Sequence, residues 1–273
     1  MGVSWKDKFP KENRYFETNN GILYCGDCLE IMPKFPEKIF DVIITDPPYG
    51  TTACKWDVII PFEDMWRELK RIRKDRTPIF IFSKQPFTSF VVLSNLNEFR
   101  YEIIWKKEKG VDFGNSNKKP LNIHENIIVF YKKQPKYHKT RVLLKGNPYI
   151  KKNNKKAKHI FYSEYLQQEK TWVNEGVRVP VTVIECSRDN IHRNKNFHPT
   201  QKPVKLIEWF LKSYTDRGDL VLDFCIGSGT TAVACEKLKR RWIGIEINPE
   251  YCEIAKQRIL REIRQLEIEL KRN

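Results

Sequence analysis

The sequence predicts an α/β fold on a mostly parallel sheet, and three observations predict it. Short β-rich apolar runs alternate with helical periodicity over residues 20–105. The same alternation returns over residues 198–273. There, a strand runs directly into the glycine-rich turn GSGTT and a following helix, the order that builds a ligand site in such sheets.

In chain order, ILYC (22–25), DVIIT (41–45) and PIFIF (78–82) are short strand-like runs. Between the last two lies a helix over 61–74, with Phe62, Met65, Trp66, Leu69 and Ile72 on one face. YEIIW (101–105) reads as a further strand, and HENIIVFYKK contains another. Pro203 opens a helix whose buried stripe is Val204, Ile207, Phe210, Leu211 and Tyr214. DLVLDFC (219–225) is a strand, a helix occupies about 230–240, and RWIGIEI (241–247) is the next strand. Asn248 caps the last helix, with Tyr251, Ile254, Ala255, Ile259, Ile263, Leu266 and Leu270 along one side.

The chain has 273 residues, enough for a large core, and 31 % of them are charged. Its formal charge of +16 speaks to partners rather than fold. Nucleic acid is the first candidate, an anionic membrane surface the second, and plain solubility the bland reading. No stretch approaches the ~20 apolar residues of a membrane span, and the first residues lack a signal-peptide core. Seven scattered cysteines fit a reducing cytoplasm. Cys25 and Cys28 form a C-x-x-C, but nothing completes a zinc site, so packing is their reading.

The middle section, 106–197, is basic. Asn126 through Ser163 contains no acidic residue, while KKQPKYHKTR (132–141) and KKNNKKAKH (151–159) concentrate lysine and arginine. Interleaved Tyr131, Tyr137, Tyr149, Phe161 and Tyr162 favour a nucleic-acid surface over a merely solvated loop.

Two motifs carry chemistry. In VLDFCIGSGTT, Gly227 and Gly229 permit close backbone approach, and Ser228, Thr230 and Thr231 add hydroxyls. Glu246 ends the next strand, where a carboxylate takes ribose hydroxyls. The loop also satisfies the loose dinucleotide pattern G-x-G-x-x-A, which leaves a nucleotide-dependent oxidoreductase open. Asp223 argues against it: a carboxylate there repels a pyrophosphate and attracts an ammonium or sulfonium, as in S-adenosylmethionine. In DVIITDPPYG (41–50), Asp46 ends a strand, Pro47 and Pro48 stiffen the turn and leave carbonyls free, and Tyr49 offers a stacking face. Asp46 with the Pro47 carbonyl forms a two-acceptor clamp for an amino group.

At these residues the sequence resembles the amino-group DNA methyltransferases. Asp46-Pro47-Pro48-Tyr49 is similar to their catalytic tetrapeptide, and Asp223 to Thr230 to their cofactor loop. His198-Pro199-Thr200-Gln201-Lys202-Pro203 resembles the segment that helps hold the methionine end of the cofactor, Gly26-Asp27 the acidic contact near its adenine, and Glu246 the ribose-binding acid. The motif order is that of the beta class. It implies a Rossmann-like S-adenosylmethionine-dependent methyltransferase fold with an inserted target-recognition region. Residues 20–105 are then the catalytic half, 106–197 the recognition region, and 198–273 the cofactor half with the C-terminal helix.

The resemblance implies Asp46, Pro47, Pro48 and Tyr49 as catalytic. It implies Asp27, Asp46, His198, Thr200, Lys202, Asp223, Phe224, Gly227, Ser228, Gly229, Thr230 and Glu246 as cofactor-binding, with S-adenosylmethionine as donor and no metal. Partners are double-stranded DNA and a cognate restriction endonuclease, in a cytoplasmic monomer or homodimer. Asp first and Tyr last in the tetrapeptide point to adenine N6; cytosine N4 is the alternative, then RNA. One departure stands out: the family usually has Asp-Pro-Phe before the glycines, whereas this chain has Asp223-Phe224-Cys225.

Overall fold

The computed structural model describes residues 4–51, 57–111, 113–152, 171–187 and 201–272. They fall into two compact units, Met1–Tyr137 with Thr182–Asn273, and His138–Val181. In chain order the first unit opens with β1 (Arg14–Glu17), β2 (Gly21–Cys25), α1 (Cys28–Ile31), β3 (Val42–Thr45), α2 (Phe62–Ile72) and β4 (Ile79–Ser83). It continues through α3 (Phe87–Ser94), β5 (Phe99–Val111) and β6 (Asn122–Phe130). The second unit holds β7 (Leu144–Lys145), β8 (Tyr149–Lys152), β9 (Thr171–Asn174) and β10 (Val177–Arg178). The first unit then resumes with β11 (Val183–Glu185), α4 (Val204–Tyr214), β12 (Leu220–Asp223), α5 (Thr230–Leu238), β13 (Arg241–Glu246) and α6 (Pro249–Arg272).

One nine-stranded sheet organises the first unit, in the order β1-β2-β13-β12-β3-β4-β6-β5-β11. From β2 to β4 all neighbours are parallel. β6 runs antiparallel to both β4 and β5, and β1 antiparallel to β2. The apolar runs read from the sequence are continuous because these strands are covered on both faces. Side chains alternate between two cores: Ile79 and Ile81 face one, Phe80 and Phe82 the other. The first core receives Met65, Trp66, Leu69 and Ile72 of α2 with Phe87 and Val91 of α3. The second receives Ile207, Phe210, Leu211 and Tyr214 of α4, Ala232 and Cys235 of α5, and Ala255 and Ile259 of α6.

Three elements depart from the sequence reading. β1 and α3 carry no periodic signal of their own: β1 is a four-residue edge strand with alternating half-burial, and α3 is apolar nearly all round. The stripe of α6 is buried only in its first half, since Leu270 is exposed. Among the described residues, no helix is long and apolar enough to cross a membrane.

The second unit consists of two antiparallel ribbons, β7 with β10 and β8 with β9. Arg178 packs its guanidinium over the Tyr149 ring, 4.6 Å from the centroid. Most of the 151–159 basic run, with Phe161 and Tyr162, lies outside the described residues. Part of the first basic run is paired within the main unit: Lys132 and Lys133 hold Asp75, and Lys136 holds Asp216 and Asp219. Tyr137 leans on Tyr214 with ring centroids 5.3 Å apart, so one of the interleaved aromatics serves packing.

Candidate active site

The carboxyl ends of β2, β3, β12 and β13 open into a cavity of about 520 Å³, within the range of small-molecule sites. Its position follows from β3 and β12. They are hydrogen-bonded neighbours, with Val42 opposite Val221 and Ile43 opposite Leu222. Asp46 and Asp223, 177 residues apart in sequence, therefore emerge on adjacent strands and line one space.

On the β3 side, consecutive prolines end the strand because neither can donate to a ladder. The turn is then tied down by Asp57, which the sequence reading passed over. Its Oδ1 accepts the backbone N–H groups of Tyr49 and Gly50 and its Oδ2 that of Thr51, each at 2.8 Å. A buried carboxylate collecting three amides fixes the loop that presents Tyr49. The Tyr49 ring stacks on Phe87 of α3, centroids 5.1 Å apart and planes 27° apart. Its hydroxyl donates to Asp46 Oδ1. Burial and the Asp46 and Glu125 carboxylates hold the phenol pKa well above its ordinary value, so Tyr49 stays a proton donor.

The other Asp46 oxygen is also engaged. Lys202, expected beside the methionine end of the cofactor, directs its ammonium to Asp46 Oδ2 at 2.6 Å. The same ammonium lies 3.2 Å from Glu125 Oε2, and Lys107 pairs with Glu125 Oε1. Four charges of alternating sign thus run inward from the cavity wall. Burial alone lowers the pKa of Lys202, but the Asp46 and Glu125 carboxylates outweigh it and hold the pKa above that of a free lysine. Lys202 and Lys107 likewise hold the Glu125 carboxyl below its usual range against the opposing effect of burial. Lys107 and Glu125 sit on facing strands β5 and β6, a relation that local sequence spacing does not reveal.

On the β12 side, Gly227 and Gly229 both have positive φ, +53° and +82°. Their tasks differ. A Cβ on Gly229 would sit 2.9 Å from Ala255 Cβ, so this glycine lets α6 close on the loop. A Cβ on Gly227 would meet nothing within 4 Å, so this glycine leaves backbone open to the cavity. Arg258, another residue without a sequence signal, reaches from α6 to the Ser228 carbonyl at 2.6 Å and the Ser228 and Thr230 hydroxyls at 2.8 and 3.1 Å.

Asp223 is buried, accepting from Thr231 Oγ1 at 2.6 Å and the Cys225 amide at 3.2 Å. Burial raises its pKa to about 7, with the Asp46 charge adding to the rise and the hydrogen bonds opposing it. Glu246 accepts the Gly227 and Asn248 amides, both at 2.9 Å. Asp27 caps α1 through the Leu29 amide at 2.7 Å and also lines the cavity. Pro47, Pro48 and Phe224 line it as well, Phe224 with its ring in the core. His198 and Thr200 lie outside the described residues. Cys25, Cys28 and Cys225 are free thiols, and no group of side chains among the described residues is suited to a metal ion.

This donor set fits a cofactor with cationic and hydroxyl groups. A buried carboxylate whose pKa is raised gains from a cation, an exposed glycine backbone gives room, and Glu246 retains lone pairs for a diol. The fold is that of the Rossmann-like methyltransferase class, with a row of alternating charges beside the cavity.

Comparison with known proteins gives the family. A DNA methylase model covering N6 and N4 enzymes matches residues 40–257. Type II methyltransferase M2.DpnII of Streptococcus pneumoniae is 28 % identical over 90 % of this chain and 91 % of its own length. Type II methyltransferase M.HpaI of Haemophilus parainfluenzae is also 28 % identical, over 87 % and 73 %. Among solved structures, the PvuII cytosine-N4-specific DNA methyltransferase superposes with a TM-score of 0.68 at 20 % identity, covering 91 % of this chain and 89 % of that one. The M1.HpyAVI complex with its cofactor superposes at 0.58 with 25 % identity, covering 86 % and 98 %. The chain belongs to the N6/N4 DNA methylase family, and S-adenosylmethionine is its methyl donor.

Proposed function

We propose that this enzyme transfers a methyl group to the exocyclic N6 of adenine in double-stranded DNA, using Asp46, Pro47, Pro48 and Tyr49. The observation that carries this is the placement of the Asp46 carboxylate, directly before two prolines, at the end of the strand that neighbours the strand of Asp223, with both in the same cavity. An amino group paired inside a duplex must leave it to reach such a cleft. The flipped base lies against Tyr49, whose ring is backed by Phe87. Asp46 and the Pro47 carbonyl accept the two amino hydrogens and turn the nitrogen lone pair out of ring conjugation.

When bound, the cofactor supplies an electrophilic methyl on a sulfonium. Asp223, Glu246, Asp27 and the backbone at Gly227 to Thr230 hold it, with His198, Thr200 and Phe224 as further contacts. Transfer would form a nitrogen–carbon bond and break a sulfur–carbon bond, and the one proton shed by the nitrogen would pass to a base, the role proposed for the Asp46 carboxylate that accepts its hydrogen bond. The protein supplies orientation and fixed acceptors facing the positive charge that grows on nitrogen.

Adenine is favoured over cytosine by the Asp-first, Tyr-last tetrapeptide. The names of the related Type II methyltransferases support a restriction–modification setting; a partner endonuclease and a cytoplasmic location belong to the same proposal. The test is to incubate unmodified DNA with the enzyme and labelled donor, digest it and identify the nucleoside. N6-methyladenine is expected, and N4-methylcytosine alone refutes the assignment. Asp46→Ala is expected to lose at least about a thousandfold in rate with donor binding retained; near-normal turnover refutes its role.

A further inference from the structure

Both oxygens of Asp46 are engaged by protein groups, one by the Tyr49 hydroxyl and one by the Lys202 ammonium. A carboxylate whose task is to accept an amino group already holds a protein N–H donor in that position. Lys202 has a second carboxylate within reach, Glu125 Oε2 at 3.2 Å, and that oxygen is buried with no aligned hydrogen bond. Buried acceptors are rarely left in this state. Glu125 is itself anchored through its other oxygen by Lys107, whose side chain is only 5 % exposed. The Lys202 ammonium also lies 5.2 Å from the centre of the Phe82 ring, which lines the same pocket.

We infer that Lys202 is a placeholder for the substrate amino group and that Glu125 Oε2 is the seat to which it withdraws when the base arrives. This rests on Asp46 being the amino acceptor. In the resting site Lys202 keeps the Asp46 charge paired while the pocket lacks its base. When an amino hydrogen takes Asp46 Oδ2, the ammonium, already 3.2 Å from Glu125 Oε2, turns its hydrogen bond fully onto that oxygen. No buried charge is left alone in either state. The withdrawal has a chemical consequence. An ammonium held on Asp46 opposes the positive charge growing on the attacked nitrogen, whereas one held on Glu125 leaves the Asp46 charge to the nitrogen. Lys202, Glu125 and Lys107 are thus positioning residues that act through Asp46.

The test is a pair of variants under single-turnover conditions on unmodified plasmid DNA with labelled S-adenosylmethionine. Glu125→Gln removes the charged seat, and its methyl-transfer rate is expected to fall about 10–100-fold, the worth of one hydrogen bond to a charged group. Its dissociation constant for S-adenosylmethionine is expected to stay within about twofold, because the ion pairs of Glu125 are with Lys107 and Lys202 rather than with the Asp223–Thr230 loop. Adding Lys202→Met to Glu125→Gln removes the placeholder that has nowhere to go, so the double variant is expected to be about tenfold faster than Glu125→Gln alone. Both proteins carry the same Glu125→Gln change, so damage to packing cancels in their ratio. A purely structural ion-pair chain predicts a double variant no faster than the single one, and that result overturns the inference.

If Glu125→Gln does not fold, the wild-type enzyme gives the same answer in a crystal structure with S-adenosylhomocysteine and duplex DNA containing its methylation site. Lys202 hydrogen-bonded to Glu125 and beyond reach of Asp46 supports the inference; Lys202 still on Asp46 overturns it. Failure of the underlying reading looks different, since Asp46→Ala would then keep its activity.

Discussion

Replacing Asp223 with asparagine is expected to stabilise the cofactor-free enzyme at high pH while weakening its hold on the cofactor. The carboxyl is buried, and its pKa rises from 3.8 to about 7, chiefly through burial. The folded protein therefore binds this proton more tightly than the unfolded chain does. Its contribution to stability falls as pH climbs from about 4 to about 7 and is level beyond. The interval corresponds to about 4 kcal/mol at ~1.36 kcal/mol per pH unit, an upper limit for the penalty of the ionised form. Asparagine has the same shape and can still pair with the Thr231 hydroxyl, but weaker hydrogen bonds at Thr231 and Cys225 return part of the gain, leaving about 1–3 kcal/mol.

Urea unfolding at pH 4.5 and pH 8 reads the difference directly. Wild type and Asp223→Asn are expected to be close at pH 4.5, with the variant ahead at pH 8. S-adenosylmethionine at fixed concentration is expected to raise the wild-type midpoint more than that of the variant, because a bound cation favours ionised Asp223. For the same reason wild-type affinity for the cofactor is expected to fall as pH drops below about 7. A variant equally destabilised at both pH values would refute the premise that ionised Asp223 is held at a cost.

The two glycines of the loop are expected to separate stability from binding. Gly229→Ala meets Ala255 at 2.9 Å with φ at +82°, and is expected to cost about 2–4 kcal/mol by thermal or urea unfolding. Gly227→Ala meets open space and is expected to cost only about 1 kcal/mol, while cofactor affinity drops. Arg258→Met frees the Ser228 carbonyl and two hydroxyls, and is expected to raise KM for S-adenosylmethionine about tenfold with a smaller change in kcat. DNA affinity is expected to fall steeply between about 50 and 200 mM salt, and a flat profile would remove the basic region from the interface.

Continuous apolar strands, one-sided helices and the two motif loops are local patterns, so β2, β3, β4, β12, β13 and α2 can be read directly from spacing. Carboxylates at strand ends are legible at their own positions: Asp46 directly follows β3, Asp223 and Glu246 end β12 and β13, and each lies on the cavity. What escaped depends on distant pairing. Asp57 reads as an ordinary loop acid until three amides turn toward it. Arg258 reads as a helix-surface arginine until α6 closes on Gly229. Lys202 is visible as a motif residue, but its partner depends on where β6 places Glu125. The two glycines look equivalent in GSGTT, and only the packing of α6 assigns one to structure and the other to the cavity.

The ladder between β12 and β3 has a consequence for tolerance to change. Asp46 and Asp223 are not held together by a flexible hinge or a long side chain; their alignment is a matter of strand register. A slip of one residue between these strands would move Asp223 about 3.3 Å along the strand axis and turn it to the opposite face of the sheet. Insertions within His138–Val181 fall in the other compact unit and leave that alignment untouched, whereas one added residue inside Val42–Thr45 or Leu220–Asp223 destroys it. The surface proposed to read DNA can therefore vary while the two carboxylates keep their alignment.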